Sequence, residues 1–207
     1  MSGYIAIGDV HGYPDLLSDI LQQAKQYPEK TLVFLGDYID RGPDSQGVVE
    51  LLQKHKGIYL LGNHEAFFLQ TLEDIEDDTL RQVYLQNKRI SGSSYIWLKE
   101  NLQLFHETED YIFSHAGLEP TKTRQEQTGA DYYESSCEGD YYSITDKFVV
   151  HGHMTCKEVE IIGNNCFVDT GCSLGGRLSA IVLPERKVLQ SREKSKNYYH
   201  ELFRSQY

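Results

Sequence analysis

The chain reads as an α/β protein built on parallel strands. Three observations predict this. Short apolar runs alternate with segments of helical periodicity through the first third of the sequence. Each of those apolar runs ends in a glycine-bounded polar turn. The turns carry Asp, Asn and His at strand exits, and ligands in open α/β sheets gather beyond the carboxyl ends of the strands.

Tyr4 to Ile7 is the first predicted strand, and Gly8 opens the loop that carries Asp9 and His11. Leu16, Leu17, Ile20, Leu21 and Ala24 recur at helical spacing, Pro14 suits the first turn, and Pro28 ends the helix. Thr31 to Leu35 is an apolar run without periodicity and reads as a buried strand. Val48, Val49, Leu51 and Leu52 mark a second helix starting near Asp44 or Ser45, and Ile58 to Leu61 a third strand. From Glu65 to about Asn101 the pattern is helical only, which predicts an insertion over the sheet, bounded at about 66–105. Its acidic patch, Glu73 to Asp78, reads as a solvated helix end. Tyr111 to Phe113 resumes the sheet. Thr121 to Tyr142 is polar, tyrosine-rich and irregular. Phe148 to Val150, Val159 to Ile162, Cys166 to Val168 and Leu178 to Leu183 are short runs at close spacing and predict an antiparallel second half. Ser191 to Tyr207 is charged and tyrosine-rich and reads as a terminal helix or a partly frayed end.

The length of 207 residues suits one domain with a sizeable core, and 40% hydrophobic with 25% charged residues describes an ordinary globular chain. No apolar run approaches the roughly 20 residues that span a bilayer. The first residues show no basic region or cleavage site, so a cytoplasmic location is expected, with no membrane partner. The formal net charge of −11 argues against nucleic acid as a partner, because phosphate backbones are bound by Lys and Arg. Cys137, Cys156, Cys166 and Cys172 include no CxxC pair and are expected to be free thiols.

The chemistry centres on Gly36-Asp37-Tyr38-Ile39-Asp40-Arg41-Gly42. Two carboxylates and an arginine at the mouth of a core strand need partners, since isolated buried charge is very costly. Divalent cations suit the carboxylates and a phosphate suits the arginine. Gly8-Asp9-Val10-His11-Gly12, Gly62-Asn63-His64-Glu65, Ser114-His115-Ala116-Gly117 and His151-Gly152-His153 supply more donors at other strand exits. Oxygen and imidazole without thiolate suit Mn²⁺, Fe or Zn²⁺ better than Ca²⁺. One ion would take Asp9 and His11, and the other Asn63, His115 and His153, with Asp37 bridging the two. Such a pair, ~3.5–4 Å apart, can clamp both sides of an in-line phosphoryl displacement and acidify bound water.

GDVHG, GDYIDRG, GNHE, SHAG and the HGH segment, in this order and spacing, resemble the phosphoprotein phosphatase family of calcineurin-like metallophosphoesterases, and its small bacterial members most. Val168-Asp169-Thr170-Gly171-Cys172 with Gly175-Gly176-Arg177-Leu178 extends the likeness. The resemblance implies an αββα sandwich with two mixed sheets, and two divalent metal ions, Mn²⁺ first with Fe or Zn²⁺ as alternatives. It implies metal ligands at Asp9, His11, Asp37, Asn63, His115 and His153. His153 is chosen over His151 because the family's ligand directly follows a glycine. It implies that His64 protonates the leaving oxygen, that Asp40 orients its imidazole, and that Arg41 binds phosphate. The substrates implied are phosphomonoesters, including phosphoserine and phosphothreonine in proteins. A symmetrical dinucleoside tetraphosphate hydrolase is the runner-up, and an inactive binding module that keeps the fold is the alternative of another class. The chain departs from the family in lacking a second phosphate-binding arginine near a tryptophan, for which Arg89 or Arg124 could substitute.

Overall fold

The structure is a computed structural model that describes residues 3–194. The elements follow in the order β1 (Tyr4–Ile7), α1 (Pro14–Ala24), β2 (Thr31–Phe34), α2 (Ser45–Lys54), β3 (Ile58–Tyr59), α3 (Asn63–Asp74), α4 (Asp78–Lys88) and α5 (Gly92–Asn101). Then come β4 (Phe105–Glu107), β5 (Tyr111–Ser114), α6 (Asp131–Glu134), β6 (Phe148–His151), β7 (Glu160–Ile162), β8 (Asn165–Phe167), β9 (Ser179–Leu183) and β10 (Lys187–Gln190). They build two five-stranded sheets, ordered β10-β9-β1-β2-β3 and β4-β5-β6-β8-β7. In the first sheet β1, β2 and β3 are parallel and β9 is antiparallel to both its neighbours. In the second, β5, β6 and β8 are parallel, and β4 and β7 are antiparallel edges.

Alternation along the strands makes the layers, because successive side chains leave opposite faces of a sheet. Ile5 and Ile7 of β1 pack with Leu16, Leu17 and Ile20 of α1, with Val48, Val49 and Leu52 of α2, and with Phe68 of α3. Ala6, between them in sequence, faces the other way and joins Val33, Phe113, Val150 and Cys166 in a core between the two sheets. In β5 and β6, Ile112 and Val149 take the opposite face to Phe113 and Val150, and pack under Leu118, Tyr132 and Tyr141. Helices, sheet, sheet, and the segment with α6 therefore stack as an αββα sandwich.

The stretch expected as an insertion, about 66–105, holds most of α3 together with α4 and α5. Its acidic patch does more than dissolve a helix end: Asp77 caps α4 by accepting from the Leu80 N–H at 2.9 Å. Ser91 caps α5 by accepting from the Ser94 N–H at 3.1 Å.

The prediction of an antiparallel second half needs correction. Its centre is parallel because β6 to β8 crosses over through β7, which pairs antiparallel with β8 alone. β3 is shorter than expected, since Leu60 makes only an isolated bridge to Gln103. The strands β4 and β10 were too short or too polar to read. Thr121 to Tyr142 is irregular except for α6. Most of the predicted terminal helix lies outside the described residues. The four cysteines are free thiols. Among the described residues no helix is long and apolar enough to cross a membrane.

Candidate metal centre

Parallel strands from both sheets deliver their carboxyl ends to one place. Asp9 and His11 follow β1, and Asp37 follows β2. Asn63 and His64 open α3 after β3, while His115 and His153 follow β5 and β6. His11, Asp37, Asp40, Arg41 and His153 all have positive φ, between 47° and 65°. Left-handed backbone at a side chain with a Cβ costs about 1–2 kcal/mol, and five such residues in one cluster mark a conformation held for its chemistry. Gly152 has its own reason: a Cβ there would collide with the Asp9 carboxylate, which accepts from the His153 N–H at 3.2 Å on each oxygen.

The imidazoles are oriented from behind. The Nδ1–H of His11 donates to the Ile39 carbonyl at 3.0 Å, and the Nδ1–H of His115 donates to the Leu35 carbonyl at 2.8 Å. Both Nε2 atoms are thereby turned toward Asp37. His11 Nε2 is 3.4 Å from Asp37 Oδ2, and His115 Nε2 is 3.4 Å from Asp37 Oδ1. His11 Nε2 is buried and has no hydrogen-bond partner. Two donors about 2.1 Å from a shared ion at the tetrahedral angle stand about 3.4 Å apart. One carboxylate thus offers each of its oxygens to a different imidazole, the arrangement a bridging ligand needs. Asn63 Oδ1 lies 3.0 Å from His115 Nε2 and 3.1 Å from His153 Nδ1.

Two compact triads could each hold an ion: His11, Asp37 and His64, and Asp37, His115 and His153. Asp9 stands outside both, turned to the backbone of His153, and His64 stands inside one. His64 is the odd member. Its side chain is 19% exposed against 2% for His11, and its Nε2 is 3.9 Å from Asp37. Its Nδ1 is bound to Asp40 Oδ2 at 2.9 Å.

The charge pattern also calls for cations. Burial, with Asp169 and Asp37 beside it, pushes the Asp9 carboxyl well above its usual range. Burial opposes the charge on Asp37, but His115, His11 and His64 outweigh it and hold that carboxyl below its usual range. Burial pulls His11 and His153 down to about 4, so both are neutral ligand-ready imidazoles at pH 7. Buried Asp9 and Asp37 carboxylates, with neutral imidazoles at His11 and His153 close by, fit a site completed by divalent ions.

Sequence reading passed over four supporting residues. Glu65 is fully buried, and its carboxylate accepts from the N–H groups of Asp37, Tyr38, Ile39 and Gly62 at 2.9–3.3 Å. It sits in the GNHE motif, where its acid at a buried helix start was the available signal. Lys88 donates to Asp40 Oδ1 at 2.8 Å, and Ser173 lies 3.4 Å from the Arg41 guanidinium. Asp169 accepts from Thr155 Oγ1 at 2.7 Å and from the Gly171 N–H at 2.8 Å.

Two expectations sort themselves by contacts. Arg124 bonds Glu107 and Tyr132 and lies over the Phe105 ring at 5.1 Å, so it pins the second sheet's outer face and does not reach the site. Arg89 lines a pocket with Asp40 and Arg41. His151 is fully buried, with Nε2 2.7 Å from Asn165 Oδ1, and ends β6 as a structural residue.

The family model for calcineurin-like phosphoesterases matches residues 4–176. The chain is 29% identical to an asymmetrical bis(5'-nucleosyl)-tetraphosphatase PrpE of Anoxybacillus flavithermus, covering 90% of this chain and 92% of the relative. It is 25% identical to serine/threonine-protein phosphatase 2 of Escherichia coli, covering 84% and 89%. A crystal structure provisionally named a diadenosine tetraphosphatase superposes with a TM-score of 0.76 at 25% identity, covering 94% and 95%. A metallophosphoesterase from Sphaerobacter thermophilus shares the fold, with a TM-score of 0.68 at 14% identity over 99% and 94%.

Proposed function

Because the chain belongs to the calcineurin-like phosphoesterase family and is a phosphoric ester hydrolase, we propose that it works at a two-cation centre held by Asp9, His11, Asp37, Asn63, His115 and His153. The observation that carries this is the Asp37 carboxylate, with an imidazole Nε2 3.4 Å from each oxygen. Divalent ions bound there, Mn²⁺ first and Fe or Zn²⁺ as alternatives, supply Lewis acidity to phosphoryl oxygens and an acidified water.

The chain's own groups do the rest. Arg41 presents a planar fork to two phosphoryl oxygens, and Ser173 steadies it. His64 donates the proton of Nε2 to the leaving oxygen. Asp40 accepts the Nδ1–H, which fixes the ring. Asp40 is itself held by Lys88. Glu65 ties the backbone of Asp37 to Ile39 to the start of α3, so the bridging carboxylate and the proton donor keep their register.

For the substrate, phosphomonoesters, including phosphoserine and phosphothreonine in proteins, are the first reading. Dinucleoside tetraphosphates are the second. Leu60 and Leu61 before GNHE, the Asp169 to Cys172 segment and the absence of Arg124 from the site favour it. The name of the A. flavithermus relative points to asymmetrical cleavage instead of the symmetrical one. A substrate panel with added Mn²⁺ separates these readings. Phosphate released from a phosphopeptide supports the first. AMP with ATP, or ADP alone, from diadenosine tetraphosphate supports the second in its asymmetrical or symmetrical form. Failure to hydrolyse any phosphoester with Mn²⁺, Fe²⁺ or Zn²⁺ would leave only a binding module.

A further inference from the structure

Three elements converge on the proton donor of the proposed site. His64 stands on α3, Asp40 in the turn after β2, and Lys88 at the end of α4. The His64 Nδ1–H donates to Asp40 Oδ2 at 2.9 Å, and Lys88 Nζ donates to Asp40 Oδ1 at 2.8 Å. One carboxylate therefore gives one oxygen to the imidazole and the other to the ammonium. The Lys88 and Asp40 side chains are 25% and 23% exposed, so solvent screens this pair less than a surface one.

Both contacts are needed to fix that carboxylate. The backbone of Asp40 is set, with φ 65° and its N–H donating to Ser45 Oγ at 3.0 Å. That leaves the terminal torsion open, because rotation of a carboxylate about the bond to its β carbon is broad and roughly two-fold. A bond to one oxygen lets the plane rock, whereas a bond to each oxygen holds it. The fold in turn brings Lys88 to its place. The Ser91 N–H, just past the end of α4, donates to Gln46 Oε1 at 2.9 Å and ties that turn to the start of α2. The Lys88 ammonium lies 5.9 Å from the centre of the Tyr84 ring, one turn back on the same helix.

We propose that Lys88 is a positioning residue for the proton donor: by holding Oδ1 of Asp40 it keeps Oδ2 on His64, and so keeps the His64 ring set to donate. The inference rests on the hydrolase reading above. It makes the end of α4 part of the apparatus for substrates whose leaving oxygen needs a proton. In the reaction the oxygen of water bonds to phosphorus, and a proton of that water passes to solvent. The bond from phosphorus to the leaving oxygen breaks, its electron pair stays on that oxygen, and the oxygen takes the Nε2 proton of His64. The Nδ1–H stays on His64, bonded to Asp40, and Lys88 keeps its protons. A basic leaving oxygen depends on this transfer, and a weakly basic nitrophenolate departs without it.

The test measures kcat of the Mn²⁺-loaded full chain on phenyl phosphate and on dinitrophenyl phosphate, and follows the ratio of the two. Lys88→Met keeps the stem and removes the charge. It should lower the phenyl-to-dinitrophenyl ratio about tenfold, less than the ~10²-fold that a misplacement of about 1 Å can cost. Lys88→Arg keeps a cationic donor and should restore most of the ratio. In a His64→Asn background, Lys88→Met should leave the ratio where His64→Asn alone puts it, because residues that act through one another are not additive. A residue that merely pins α4 would lower both substrates alike and would lower them further in His64→Asn. Either of those results, or an unchanged ratio in Lys88→Met, overturns the proposal. A wild type that hydrolyses neither ester would sink the hydrolase reading and this inference with it, whereas an active wild type whose ratio ignores Lys88 would sink this inference alone.

Discussion

Replacing Glu65 with glutamine separates the scaffold of the site from its chemistry. Glu65 Oε2 accepts from the N–H of Asp37 at 2.9 Å and of Gly62 at 3.3 Å. Oε1 accepts from Tyr38 at 2.9 Å and Ile39 at 3.1 Å. A glutamine amide keeps one acceptor and presents an NH₂ in place of the other. Whichever way it lies, two buried N–H donors face another donor. Each unsatisfied buried donor costs about 1–3 kcal/mol, so the pair costs about 2–6 kcal/mol. Burial, with Asp37 nearby, pushes the Glu65 carboxyl up to about 8, so a neutral side chain recovers part of that loss. The lower half of the range is therefore expected. It is still a large share of the ~5–15 kcal/mol that holds a domain together. Urea unfolding at fixed Mn²⁺ should show a lower midpoint at unchanged slope, with turnover lost in parallel as Asp37 and His64 drift. An unfolding free energy within about 0.5 kcal/mol of wild type, the spread of ordinary surface substitutions, would refute the claim that this carboxylate assembles the site.

Three further outcomes are expected. His64→Asn should lower turnover by about 10²–10⁴, the usual contribution of a positioned acid, while elemental analysis still finds both ions; loss of one ion instead would make His64 a ligand. Burial raises Asp40, but its bonds to His64 and Lys88 outweigh that and hold its carboxyl at about 2, below the ordinary 3.8. A depressed pKa means that the stabilisation is fully present above about pH 4 and is lost as the pH falls through 2. Thermal melts in chelator should thus lose stability over that window in the wild type, and Asp40→Asn should flatten the decline. Arg124→Ala should lower the melting temperature by removing its contacts with Glu107, Tyr132 and Phe105, and should leave KM for an aryl phosphate unmoved.

Much of this molecule was legible because its motifs are local. Each strand that opens on Asp9, Asp37 or His115 announces itself by an apolar run and a glycine, and the alternation of strands with α1 and α2 follows from simple periodicity. The helical character of this stretch was equally plain, since α3 to α5 contain no competing strand pattern. The register of the second sheet was not legible. Short runs such as β8 and β7 carry no sign of whether their partners run parallel, and β4 is held by pairing with β5, not by its own composition. The candidate site residues stood in the sequence, but the contacts of Glu65, Lys88 and Ser173 are made across the fold. Lys88 is 48 positions from Asp40, and no pattern within α4 points to that bond. Arg124 was a fair candidate by residue type and is excluded only by where β4 and α6 hold it.

The most direct test is anomalous diffraction from crystals of the active, Mn²⁺-loaded protein. Two peaks are expected about 3.5–4 Å apart, with the Asp37 carboxylate between them, His11 on one side and His115 with His153 on the other. A single peak, or two peaks away from Asp37, would contradict the account.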